Sequence, residues 1–280
     1  MAANSIIYNI PVDLIDAYRG RRVIVRAFDP VKLVENLTER DFINLEYVQL
    51  LSLAADVEVL ANWGPGVPID IVMCEPEIEL ARLYNHAKLL DKHPVRVTIP
   101  VKKGVANAVK IAASLSFDVK LTVFQPDAQE IVEMFQVLTM FLHKTTFTQP
   151  VEFYQGSLQS FFYDNQLTIW TIQEEDPAEN RYVTPEGLET ISPRFLDAQA
   201  FAGRSLDTFI EDFKNTLLAE RRECETCEFL AHCRGYFKWR DKNYVCKGGI
   251  KSLFGTLKAA AIELEGDLAA YAASEGGLNR

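Results

Sequence analysis

The chain has 280 residues, 48% hydrophobic and 24% charged, with a net charge of −10. That is a globular composition with room for one large domain or two unequal ones, and the acidic balance argues against a nucleic-acid binder, which carries a basic face. No run approaches the roughly 18 to 20 apolar residues of a membrane span, so no membrane association is expected.

The N-terminal MAANSIIYNIPVDLIDAY carries Asp13 and Asp16 and lacks a basic start, unlike a secretory signal. The expected compartment is the cytoplasm, where thiols stay reduced. RRVIVRAF, ending at Phe28, reads as the first strand. DPVKLVENL and ERDFINLEYVQLLSLA read as helices from their three- and four-residue apolar spacing. VEVLA and PIDIVMC read as strands flanking the turn NWGPG. EIELARLYNHAKLLDK reads as a helix, VRVTIPV as a strand, GVANAVKIAASL as a helix and DVKLTVF as a strand. DAQEIVEMFQVLTMFLHK reads as a helix capped by Asp127, and VEFY and QLTIWTI as closing strands. Strands alternating with helices imply parallel βα units, five or six of them, in a partial barrel or an open doubly wound sheet.

The polar stretch from Glu174 to Pro193 reads as a linker or exposed loop between an α/β domain at 1–193 and a small helical unit at 194–280. A helix in SLDTFIEDFKNTLLAERRE precedes the cysteine-rich segment. A final helix, from about Ile250 to Tyr271, places Ile250, Leu253, Phe254, Leu257, Leu264 and Leu268 along one face, and Gly276 and Gly277 follow it as a stop signal.

Four of the five cysteines fall in CETCEFLAHCRGYFKWRDKNYVC, spaced Cys224-x2-Cys227-x5-Cys233-x12-Cys246. Four thiolates within reach of one point suit zinc or an iron–sulfur cluster. Arg221, Arg222, Arg234, Lys238, Arg240, Lys242 and Lys247 can offset their charge, and Gly248 and Gly249 let the main chain approach the sulfurs. A structural zinc site, or buried cysteines with no ligand, fits the same residues. Tyr236, Phe237, Trp239 and Tyr244 read as packing around this loop.

Cys224, Cys227, Cys233 and Cys246 resemble the SPASM domain that ends many radical SAM enzymes of peptide modification. The resemblance extends over roughly Ala198 to Phe254. It implies that these four hold one auxiliary [4Fe–4S] cluster. Phe237 stands where the family has a cysteine serving a second cluster, and the upstream cysteines of that cluster are missing too. The βα series then resembles the partial barrel of those enzymes. The catalytic C-x3-C-x2-C motif is absent, since Cys74 is the one other cysteine in the sequence. The implied role is therefore an accessory protein that does not itself cleave SAM. It would hold a peptide substrate or relay electrons for an active radical SAM enzyme.

Other residues are less specific. Cys74, at a strand end beside Glu75 and Glu77, reads as a partly buried structural thiol with a raised pKa. VKKGVANAV reads as an ordinary βα loop, although such a place can bind an anion. His86, His93, His143 and His232 form no ligand pair, and His232, next to Cys233, could replace a thiol at zinc. Two alternatives to the accessory protein remain: a zinc-stabilised interaction module, and an enzyme of another class with its active site at the barrel mouth.

Overall fold

The computed structural model describes residues 6–163, 167–196 and 205–276. Gln166 and Gly277, and the 198–204 part of the expected SPASM-like region, lie outside the described residues.

Eight strands form one sheet: β1 (Ile7–Pro11), β2 (Val23–Ala27), β3 (Leu45–Leu50), β4 (Ile69–Val72), β5 (Val95–Pro100), β6 (Asp118–Thr122), β7 (Asn180–Val183) and β8 (Glu189–Thr190). Their order is β6-β5-β4-β3-β2-β1-β7-β8. The first seven pair in parallel, and β8 pairs antiparallel with β7. The chain is thus α/β. From β1 to β6 each strand lies beside its predecessor without the order reversal that marks a doubly wound sheet. Right-handed crossovers of this kind carry their connecting segments to one face.

The strand sequences match that one-sided cover. Val23, Val25, Val48, Leu50, Ile69, Ile71, Val95, Val97, Ile99, Val119 and Leu121 alternate out of one face and are buried in the apolar core. Between them lie Arg26, Gln49, Asp70, Arg96, Thr98 and Lys120, on the opposite face. A parallel sheet covered by helices on both faces would show near-continuous apolar runs instead.

The helices are α1 (Ile15–Tyr18), α2 (Pro30–Asn36), α3 (Pro76–Glu79), α4 (Val105–Ser114), α5 (Ala128–His143), α6 (Glu152–Phe162), α7 (Ile169–Ile172), α8 (Phe209–Ala219), α9 (Leu230–Cys233) and α10 (Ile250–Gly276). Asp127 caps α5 in a full capping box with Glu130, as its position predicts. No helix of the described residues is long and apolar enough to cross a membrane.

Seven segments differ from the sequence reading. IYNIP forms β1, the first strand, ahead of RRVIVRAF; the stretch after β1, VDLIDAYRG, is equally free of cysteine. LEYVQL is β3 rather than part of a helix, because its period-two alternation overrides the coincident helical spacing, and VEVLA forms turns. VEFY contributes only the bridge Val151–Val119 before α6 begins, since Phe153, Tyr154, Ser157 and Ser160 bury one helical face. QLTIWTI yields the short helix α7, capped by the Thr168 hydroxyl. The expected linker at 174–193 supplies β7 and β8, stitched to β1 by Ile7 N–H donating to Glu179 O at 2.8 Å. The helix expected over 77–92 is α3 followed by a tighter 3₁₀ stretch, Leu80–Asp91.

The core is continuous from the sheet into the cysteine segment. Trp170 lies 4.9 Å from Tyr236, and Phe195 stacks on Trp239 at 4.8 Å, centroid to centroid. Phe153 and Phe161, on α6, meet Phe254, on α10. Ile250, Leu253, Phe254 and Leu257 are buried as expected, whereas Leu264 and Leu268 are exposed, because α10 extends beyond the body it packs on.

Candidate functional site

Local turns bring the four cysteines together. Cys227 N–H donates to Cys224 O at 3.2 Å, closing the C-x2-C turn. Cys233 ends α9, where Arg234 and Gly235 adopt left-handed conformations, φ +46° and +80°. A Cβ on Gly235 would stand 2.6 Å from Leu217 Cδ1, so glycine is required there by conformation and by space. Cys246 leads into α10, its carbonyl accepting from Lys251 N–H at 3.0 Å.

Cys224, Cys227, Cys233 and Cys246 all line one cavity of about 20 Å³, and none forms a disulfide. Burial pushes the Cys224 thiol up, pushes Cys233 up to about 11 and pushes Cys246 up to about 12. Mutual repulsion adds to this: Cys224 feels Cys227, Cys233 feels Cys224 and Cys227, and Cys246 feels Cys233 and Cys224. The N–H groups of Gly235 and Phe237 donate to the Cys233 sulfur and favour its thiolate.

Charge is arranged from below. Lys238, only 3% exposed, and Lys251 also line the cavity. Glu223 binds both, at 2.9 and 3.1 Å, and accepts the Cys246 N–H at 3.1 Å. Burial raises the Glu223 carboxyl, but these donors prevail and hold it at about 2. Of the seven basic residues expected near the thiols, Lys238 reaches the cavity. Arg222 and Lys242 pair with Glu220, and Arg234 with Glu211. Lys251 and Glu223 were not anticipated; Glu223 directly precedes Cys224 and Lys251 follows Cys246 by five residues, and that proximity is their one signal in the sequence. Gly248 has the positive φ of +81°, but Gly249 abuts Ile131 rather than a sulfur.

Zinc binds sulfur at about 2.3 Å, which sets tetrahedral sulfurs about 3.8 Å apart, whereas an iron–sulfur cluster uses the same four thiolates around a multi-atom core. The cavity the thiols line is large enough for a water-sized sphere. No three His, Cys, Asp or Glu side chains among the described residues form a group that could hold a metal ion as they stand.

His232 is not available as a ligand. Its Nδ1 meets Leu167 O at 2.9 Å and its Nε2 meets Ser157 Oγ at 3.2 Å. Burial lowers its pKa to about 4, which keeps it neutral. Phe237 is fully buried in the core. Tyr236, also fully buried, packs as expected. Cys74 is exposed rather than partly buried; what burial it has raises its pKa first, and Glu79 and Glu75 raise it further. In the VKKGVANAV loop, the N–H groups of Gly104 and Ala106 are taken by the Glu133 carboxylate at 3.1 and 3.2 Å, so the protein supplies its own anion.

The polar face of the sheet carries a second constellation that the sequence reading missed. Arg96 meets Glu152 at 2.9 Å, Glu174 at 3.1 Å and Asp70 at 3.3 Å. Lys120 meets Glu174 at 2.5 Å, and the Tyr47 hydroxyl donates to Glu174 at 2.6 Å. Burial would raise the Glu174 carboxyl, but Lys120 and Arg96 overcome it and hold it well below the usual range. Beside this network lies a pocket of about 230 Å³, lined by Arg26, Lys120, Glu174, Tyr182, Ser192 and Arg194 among others. Arg194 pairs with Glu175 and lies 4.2 Å from the Tyr236 ring centre. Tyr236 in turn lies within electrostatic range of Cys233. The alternation in VRVTIPV and DVKLTVF was the available signal, since Arg96, Thr98, Asp118, Lys120 and Thr122 alternate there with apolar residues.

No protein-family model matches this chain, and no curated protein matches it either.

Proposed function

We propose that Cys224, Cys227, Cys233 and Cys246 hold one [4Fe–4S] cluster. In this reading the chain is a cytoplasmic accessory subunit of a radical SAM peptide-modifying enzyme, holding a peptide or relaying electrons and not itself cleaving SAM. The observation that carries the reading is the cavity lined by all four thiols, served by amide donors and by Lys238. The cysteine spacing supports the SPASM resemblance, and the unreversed order from β1 to β6 supports a partial barrel like that of radical SAM proteins. The absence of C-x3-C-x2-C in these residues supports a non-catalytic role. A bound cluster would supply single-electron transfer or cross-link the loop. The test is to reconstitute the chain with iron and sulfide in the presence of equimolar zinc, reduce it and add SAM. The expected result is iron retained and no SAM cleaved. Zinc retained in place of iron would convert the reading to a zinc-stabilised module, and SAM cleavage would overturn the accessory role.

A second reading, an enzyme of another class with its metal purely structural, is favoured by the charged pocket on the sheet's polar face. It predicts a small-molecule ligand in that pocket whatever the thiols bind.

A further inference from the structure

The polar face carries one cation that the described residues do not balance. Arg26, on β2, is 4% exposed. Its Nη1 donates to Asn9 O at 2.5 Å and to Asn9 Oδ1 at 2.9 Å, and its Nη2 donates to Val183 O. The Tyr182 ring lies beneath it, 3.9 Å from the guanidinium carbon. Every one of these partners is neutral. The other basic residues of the pocket are paired: Lys120 with Glu174, Arg181 with Asp207, and Arg194 with Glu175. Among the described residues Arg26 has no carboxylate partner. A buried cation without a counter-charge is costly to a fold. Burial lowers the Arg26 pKa to about 10, which still leaves it charged at neutral pH.

A second, independent deficit lies on the same pocket. The Ser192 hydroxyl is buried and has no hydrogen-bond partner among the described residues. Buried hydroxyls nearly always have one. Ser192 follows β8, whose pairing with β7 sets Thr190 opposite Tyr182, the residue beneath Arg26. An unbalanced guanidinium and an unsatisfied hydroxyl thus line one cavity of about 230 Å³.

We propose that this pocket binds a small molecule through an anionic oxygen group, a carboxylate or a phosphate, that pairs with Arg26 and engages the Ser192 hydroxyl. Arginine has five N–H donors, and three are used here, which leaves the Nε–H and one Nη2–H. Two donors on one planar cation are what a carboxylate or phosphate accepts in parallel hydrogen bonds. Glu174 and Glu175, which also line the pocket, are neutralised by their own partners and do not repel the ligand outright. The pocket volume limits the ligand to a small one. The inference is independent of what the thiols hold.

The test is isothermal titration of the full chain, its metal content measured beforehand, with inorganic phosphate and with succinate at constant ionic strength. The expected result is saturable one-site binding of at least one anion, with a matching rise in the thermal midpoint. Phosphate alone would assign a phosphate-bearing ligand, succinate alone a carboxylate, and both the shared anion site. Arg26→Gln is expected to weaken binding at least about tenfold, the factor a charge-assisted hydrogen bond commands. Ser192→Ala is expected to weaken it severalfold, and Arg40→Gln, on the exposed surface, to leave it unchanged. Should Arg26→Gln not fold, Arg26→Lys keeps the charge and loses the planar fork, and weaker binding is again expected. Absence of saturable binding by both anions, or wild-type affinity in a folded Arg26 variant, would overturn the proposal.

Discussion

The network around Arg96 and Glu174 on the sheet and the thiol loop both bury groups that water would otherwise solvate, and they treat them in opposite ways. On the sheet, Asp70, Arg96, Lys120, Glu152 and Glu174 answer one another, and Thr98 and Gln49 complete Asp70 at 2.7 and 2.8 Å. That network is closed and needs nothing from outside. In the loop, four thiols face a common cavity, and burial drives Cys224, Cys233 and Cys246 to keep their protons. A closed network is a structural device; in the proposed reading the thiols are completed by a cluster bound between them.

Substitutions on the two sides separate these roles. The largest effect is expected from Cys233→Ala, which removes the thiol that receives two amide hydrogen bonds: bound metal should fall to near zero, while exposed Cys74→Ala leaves it unchanged, as read by metal analysis. Arg96→Met should cost about 3–5 kcal/mol in urea denaturation, because it strands the carboxylate of Asp70, whose side chain is 2% exposed. Metal content should be unaffected, and a change in it would show that the two regions are not separate. Gly235→Ala should cost more than the about 1–2 kcal/mol of a left-handed alanine, since its Cβ also meets Leu217; Gly248→Ala, at φ +81° with open space around it, should cost no more than that range.

The smallest effect is one of pH. Glu174 is depressed in the folded protein, so its stabilisation is complete above the unfolded carboxylate's pKa of about 4.3. It is lost as pH falls below that value toward the depressed one. Glu174→Gln should therefore flatten the acid limb of the stability curve below about pH 4.3, and a limb that keeps its slope would remove Glu174 from the network.

How much of this was legible in the sequence follows from how local each signal is. The strands β2, β4, β5 and β6 and the helix α5 are marked by their own residues, and the structure places them as read. β7 and β8 carry no such mark: Asn180–Val183 is polar and short, and becomes a strand because β1 offers it a partner. The four cysteines were visible from spacing alone, and the structure gathers all four on one cavity. Arg26 was visible only as one polar letter in an apolar strand; that it lacks a counter-charge depends on Asn9, Tyr182 and Val183, which the fold brings from far along the chain.

The central claim is tested most directly by counting iron, acid-labile sulfide and zinc in protein purified without oxygen. About four irons and four sulfides per chain, with visible absorbance that bleaches on reduction, is the predicted result. One zinc with no sulfide would contradict it, and would make the loop a structural metal site.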